Sequence, residues 1–133
     1  MSGVFLDSHV ILYLLSADET KANTAEKLLY QKPFISVQVL NEITSVSRRK
    51  LKMPWSETQA LLDAVKASCN VIPLTVETHA NAVQIAQQHQ LSFYDAHIVA
   101  AAIACEASTL MSEDMQHGMT LQSLRIQNPF SVP

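Results

Sequence analysis

Ser92-Phe93-Tyr94-Asp95-Ala96-His97-Ile98-Val99-Ala100-Ala101-Ala102-Ile103-Ala104-Cys105 reads as an apolar helix with one carboxylate set into it. Asp95, Ile98, Val99 and Ala102 share a helical face at i, i+3, i+4 and i+7, the face expected to enter a core. An unpaired carboxylate taken out of water there is costly. Two explanations are open. Ser92 to Asp95 fits the S-x-x-[DE] capping box, which places Asp95 in the first turn, where the helix dipole favours negative charge. Asp95 is otherwise a cation ligand, and the two roles are compatible because a first-turn carboxylate can point past the strand ends.

Outward from this helix, short apolar strands alternate with helices. Strands are expected over Gly3–Leu6, Pro33–Ser36, Asn70–Leu74, Thr109–Ser112 and Leu124–Gln127. Helices are expected over Ser8–Ser16, Thr20–Tyr30, Val37–Leu51, Ser56–Ser68, Val76–His89 and Phe93–Glu106. Ser56-Glu57-Thr58-Gln59 reads as a capping box, and Pro73 points to an edge or strand-end position. This alternation predicts a three-layer α/β/α sandwich with a short-stranded parallel sheet and right-handed crossovers, one domain over residues 1–133. Function in such sheets collects at the carboxyl ends of the strands, where Asp7 and Asp114 fall.

Composition narrows the classes. A chain of 133 residues with 48% hydrophobic and 16% charged residues builds a real core and is not a disordered segment. Its apolar runs are too short to cross a bilayer, and Met1-Ser2-Gly3 shows no basic start or cleavage site, so a cytoplasmic protein is expected, with no membrane association. Cys69 and Cys105 fall in helical patterns and fit reduced thiols. Only Gly3 and Gly118 are glycines, which excludes a Gly-rich phosphate loop. The five histidines show no zinc spacing, and no serine nucleophile elbow is present. His79 and His89 read as exposed helix residues, whereas His9 and His97 each lie two residues beyond an acid of interest. A net charge of -3 disfavours a non-specific nucleic-acid binder, yet Arg48, Arg49, Lys50 and Lys52 concentrate four of the nine basic residues within five positions. They are candidate phosphate contacts, or else a solvated helix end favoured by its dipole.

Asp95 has company. Val4-Phe5-Leu6-Asp7, Val39-Leu40-Asn41-Glu42 and Leu110-Met111-Ser112-Glu113-Asp114 also bring an acid to the edge of an apolar element. Each has an ordinary explanation: a helix cap for Asp7, a solvated flank for Glu42, a turn for Asp114. Spacing from Ser112 favours Asp114 over Glu113, which remains the substitute. Recurrence at one kind of boundary is more selective than any single case. Carboxylates without Cys or His partners suit hard cations, Mg²⁺ or Mn²⁺, which activate water and clamp a phosphodiester.

In these segments the chain resembles the PIN-domain nucleases, and more narrowly the VapC-type toxins of toxin–antitoxin modules. Val4 to Tyr13 is similar to the opening strand and D-[ST]-[NH] turn, and Ile35 to Glu42 to the second motif. Leu91 to Ala102 resembles the third and most specific motif, and Leu110 to Gly118 the fourth, T/S-x-D. The resemblance implies that Asp7, Glu42, Asp95 and Asp114 are the catalytic, metal-binding acids for Mg²⁺ or Mn²⁺, supported by Ser112 and Ser8. His9 stands where many relatives carry Asn. It further implies hydrolysis of RNA by metal-activated water, a homodimer, and a small cognate antitoxin that blocks the pocket. The alternatives are a PIN nuclease without antitoxin in RNA processing, and a catalytically silent RNA-binding module. Trp55, between two helices, reads as a contact candidate. A response-regulator receiver lacks support, because no late Lys follows a strand.

Overall fold

A computed structural model describes residues 3–130. Met1 and Ser2, where the start was read for a secretion signal, lie outside the described residues, as do 131–133. The elements in order are β1 (Val4–Leu6), α1 (Ser8–Leu12) with a 3-10 turn over Tyr13–Leu15, α2 (Glu19–Leu29), β2 (Phe34–Ser36), α3 (Val37–Arg49), α4 (Trp55–Ser68), β3 (Asn70–Ile72), α5 (Val76–His89), α6 (Phe93–Ala104), β4 (Thr109–Met111), β5 (Thr120–Leu121) and β6 (Leu124–Gln127). The strands form one sheet in the order β3-β2-β1-β4-β6-β5. Five run parallel, with Phe5 level with Phe34 on one side and Leu110 on the other. This is the expected α/β/α layering.

Direction along the sheet reverses after β3. The chain steps outward from β1 to β2 to β3, then returns through α5 and α6 to β4 on the other side of β1. Right-handed connections put the outgoing and returning helices on opposite faces. The β1–β4 boundary is therefore the switch point, where a crevice opens at the strand ends. Phe5, Leu6, Ile35, Leu110 and Ile126 are fully buried in the sheet, covered by Val10, Ile11, Val39, Ile43, Val99 and Ala102. Gly3 is required by a close approach: a Cβ there would lie 2.4 Å from the Phe34 ring.

Several boundaries differ from the sequence expectation, each for a local reason. The expected helix over Ser8–Ser16 tightens into a 3-10 turn after Leu12. The capping box at Ser56 does not form. Pro54 is the N-cap, its fixed φ of −60° sets the helix entry, and Ser56 falls inside the first turn. The sheet is not wholly parallel, because β5 pairs antiparallel with β6 through a two-residue turn. Gly118, at φ +85°, serves the turn leading into that hairpin. Pro73 directly follows β3, the edge strand, which leaves its missing N–H without consequence.

Candidate active site

Asp7 ends β1 and is the N-cap of α1. Its carboxylate is 3% exposed, accepting from the Ser8 N–H at 2.7 Å and from the Ser112 hydroxyl at 2.8 Å. The Ser112 oxygen in turn accepts from the Asp114 N–H at 3.2 Å. A single serine just beyond β4 thereby ties the ends of the two central strands together. Ser8 performs the matching task toward α3, donating its hydroxyl to Glu42 at 2.7 Å. Gln38, one turn before Glu42, donates to the other carboxylate oxygen at 3.1 Å. Glu42 is thus oriented on both sides.

Asp95 stands in the first turn of α6, with the Ser92 hydroxyl accepting its backbone N–H at 3.2 Å. The capping role is real and holds the main chain. The Asp95 side chain lines a cavity at the strand ends, whereas the residues from Ala96 to Ala102 are buried. Asp114 is 42% exposed and meets the His9 imidazole through Nδ1. Asp7, His9 and Asp114 each offer one ligand atom, all within 4.8 Å of one another.

All four acids line one cavity of about 270 Å³, together with Ser8, His9, Ser45, Val46 and Tyr94. No Lys or Arg is among these lining residues. Burial pushes the Asp7 carboxyl up from 3.8 to about 6, against the opposing pull of its hydrogen bonds from Ser112 and Ser8. Burial raises the Asp95 carboxyl too, and the charges of Asp114 and Glu42 add to the effect. Four carboxylates face one space without Lys or Arg, and the sequence expectation of acids with no His partner is revised by His9, whose imidazole nitrogen joins them. The set remains oxygen-dominated, which fits a hard divalent ion.

The remaining candidates separate. Glu113, the substitute for Asp114, turns away: Tyr13 donates to it, and Lys21 lies 3.2 Å from its second oxygen. These contacts hold its carboxyl below the usual range. Arg48 is engaged elsewhere, its guanidinium 4.3 Å from the Trp55 ring centroid and donating to the Met53 carbonyl. Trp55 is 62% exposed beneath that contact. Arg49 lines a neighbouring cavity, Lys50 lines an apolar groove on the His9 side, and Lys52 is exposed beyond the helix end at φ 55°. His97 does not reach the acids. It is buried near Phe93, with ring centroids 6.0 Å apart, and its Nδ1 has no hydrogen-bond partner among the described residues. His79 and His89 are exposed, and both cysteines are free thiols. The contact of His9 with Asp114 was not evident from sequence, because only its position two residues after Asp7 hinted at the pocket.

A family model described as the PIN domain matches residues 4–117. The chain belongs to the PIN-domain family. Among solved PIN-like folds, a toxin–antitoxin complex from Klebsiella pneumoniae superposes with a TM-score of 0.75 at 16% identity, over 97% of this chain and 99% of that one. A sarcin–ricin-loop-cleaving VapC toxin from Mycobacterium tuberculosis gives 0.67 at 21% identity, covering 84% and 91%. VapBC2 from Rickettsia felis, bound to promoter DNA, gives 0.68 at 22% identity, covering 94% and 97%. At these identities the likeness establishes the shared fold. No curated protein matches the chain. Among the described residues of this PIN domain, no helix is long and apolar enough to cross a membrane.

Proposed function

We propose that this PIN domain is a divalent-metal-dependent endoribonuclease, the toxin of a toxin–antitoxin pair, with Asp7, Glu42, Asp95 and Asp114 as the Mg²⁺- or Mn²⁺-binding acids. The observation that supports this reading is that all four acids line one cavity at the switch point of the sheet, with no Lys or Arg among its lining residues. A bound divalent ion supplies Lewis acidity toward water and toward the phosphodiester. The protein supplies the rest. Ser8 and Ser112 hold Asp7 in one rotamer, Ser8 and Gln38 hold Glu42, and the Ser92 cap fixes where Asp95 projects. Asp7, Glu42, Asp95 and Asp114 would hold the ion, whose charge would oppose the upward push that burial gives the Asp7 and Asp95 carboxyls.

The partner belongs to the same proposal. Beside His9, Leu12, Leu15, Val46 and Leu51 line an apolar groove, with Leu15 and Leu51 nearly half exposed. It adjoins the acids through His9 and Val46, which line both spaces. An antitoxin segment seated there would block the pocket; the Klebsiella pneumoniae structure named above is itself a toxin–antitoxin complex. A second copy of the chain is the remaining proposed partner.

Replacing Asp95 by Asn tests the assignment directly. The variant is expected to melt as cooperatively as the parent and to lose Mn²⁺-dependent cutting of single-stranded RNA. Parental cutting rates in that variant would falsify the catalytic role of Asp95.

A further inference from the structure

The acid cavity does not end at Glu42. A second cavity of about 440 Å³ is lined by Gln38, Asn41, Glu42, Ser45, Arg49 and Tyr94. It shares Glu42, Ser45 and Tyr94 with the acid cavity, so the two adjoin. Its long wall is a single stripe of α3: positions 38, 41, 42, 45 and 49 recur at i, i+3, i+4, i+7 and i+11. Every one of these side chains is polar, on a helix whose opposite face carries the buried Val39 and Ile43. Tyr94 faces them from the first turn of α6. It is 63% exposed and rests edge-on against Phe93, with centroids 5.8 Å apart.

We propose that this second cavity is a nucleobase subsite, holding the unpaired base beside the phosphodiester placed over the acids. It rests on the nuclease reading and adds to it the place where one base of the RNA is held. The size suits one nucleoside, within the ~300–1,000 Å³ range of small-ligand pockets. Tyr94 offers an exposed ring for stacking, a sequence-tolerant contact that any base can make. Gln38 spends its amide nitrogen on Glu42, leaving its carbonyl oxygen to accept from a base edge. Asn41 lines the cavity, is exposed and makes no side-chain hydrogen bond among the described residues, so both halves of its amide are open to a ligand. Arg49 closes the far end with an exposed guanidinium that forms no ion pair among the described residues, suited to the next phosphate. Its neighbour Arg48 is committed to Trp55 and Met53. A duplex keeps its bases stacked inside the helix and must unpair one to fill such a pocket, so an unpaired strand is preferred.

The test uses a short unstructured RNA and a series of its derivatives, each carrying one abasic position. Binding is read by fluorescence anisotropy in EDTA, where metal-dependent cutting stops; cutting of the intact RNA is read separately with Mn²⁺. One abasic position is expected to weaken binding by the parent about tenfold, the scale of one base stacked on an aromatic ring. Tyr94→Ala should bind the intact RNA about tenfold more weakly and lose its sensitivity to that position, while Tyr94→Phe keeps both. If Tyr94→Ala responds to every abasic position as the parent does, the subsite is overturned. Equal binding of the same RNA as a duplex overturns it too. Cutting with Mn²⁺ judges the nuclease reading independently. An RNA that is cut but shows no abasic effect removes the subsite alone. An abasic effect without cutting removes the nuclease reading and leaves a base-binding pocket.

Discussion

The floor and the rim of the acid cavity are built on different terms. At the floor, Asp7 is buried, and both its oxygens are fixed by donors from Ser8 and Ser112. At the rim, Asp114 is open to water and held by its backbone N–H and the exposed His9, while Asp95 is placed through the cap of its helix. The floor is an extension of the core and inherits its rigidity. The rim is positioned by element ends and meets solvent. Desolvation cost concentrates where geometry is best defined, so position and charge are bought together at Asp7.

The sharpest way to break this contrast is Asp7→Asn. RNA cutting should fall on the order of a thousandfold, because the anchoring charge is gone. The metal-free fold should nevertheless become more stable at neutral pH. The shift from 3.8 to about 6 corresponds to a penalty of about 3 kcal/mol on the ionised parent. The folded state holds the Asp7 proton more tightly than the unfolded chain does. That penalty is therefore absent below the unfolded value, grows as pH rises from about 4 to about 6, and is complete above it. Urea unfolding in EDTA across this window should show the parent losing stability with rising pH relative to Asp7→Asn. An Asn variant less stable than the parent at neutral pH places the cost elsewhere.

A middle-sized effect is expected at Ser112. Ser112→Ala removes the donor to a buried carboxylate and the acceptor of the Asp114 N–H, costing about 1.5–3 kcal/mol in unfolding free energy. Activity should drop about 10- to 100-fold, as for other groups that orient metal ligands. The smallest change is Glu113→Gln, which touches the rim alone. It weakens the tie from the Asp114 segment to Tyr13 and Lys21, groups close to solvent, so stability should move by about 0.5 kcal/mol or less. A several-fold loss of cutting with an unchanged melting curve would mark this tie as a positioning contact for Asp114. No change in rate would show that the rim tolerates slack.

Much of this layout is legible in the sequence. Asp7 and Asp114 follow short apolar strands, Asp95 follows a capping serine, and those local signals suffice to send the side chains toward one end of the sheet. Other features depend on partners that local pattern does not contain. His9 meets Asp114 only because β1 and β4 are neighbours in the sheet. Arg48 looked like one member of a basic cluster, and its removal to the Trp55 ring depends on how the chain turns between α3 and α4. The box at Ser56 satisfied a sequence pattern, but the fixed φ of Pro54 set the helix start earlier. Two-residue β5 was too short to show any alternation of its own.

The hydrogen bond from Ser112 to Asp7 spans 105 positions of the chain. During synthesis, β1 has β2 within reach long before β4 exists, and amino-terminal segments tend to order first. Asp7 and Glu42 can emerge from the ribosome while the acid that closes the set is still untranslated. The nascent chain is consequently spared the crowding of its carboxylates until its late, high-contact-order strand pairing completes the sheet. Any product stopped before residue 112 lacks both the clasp and the fourth acid. On the proposed reading such a truncated chain is expected to cut no RNA.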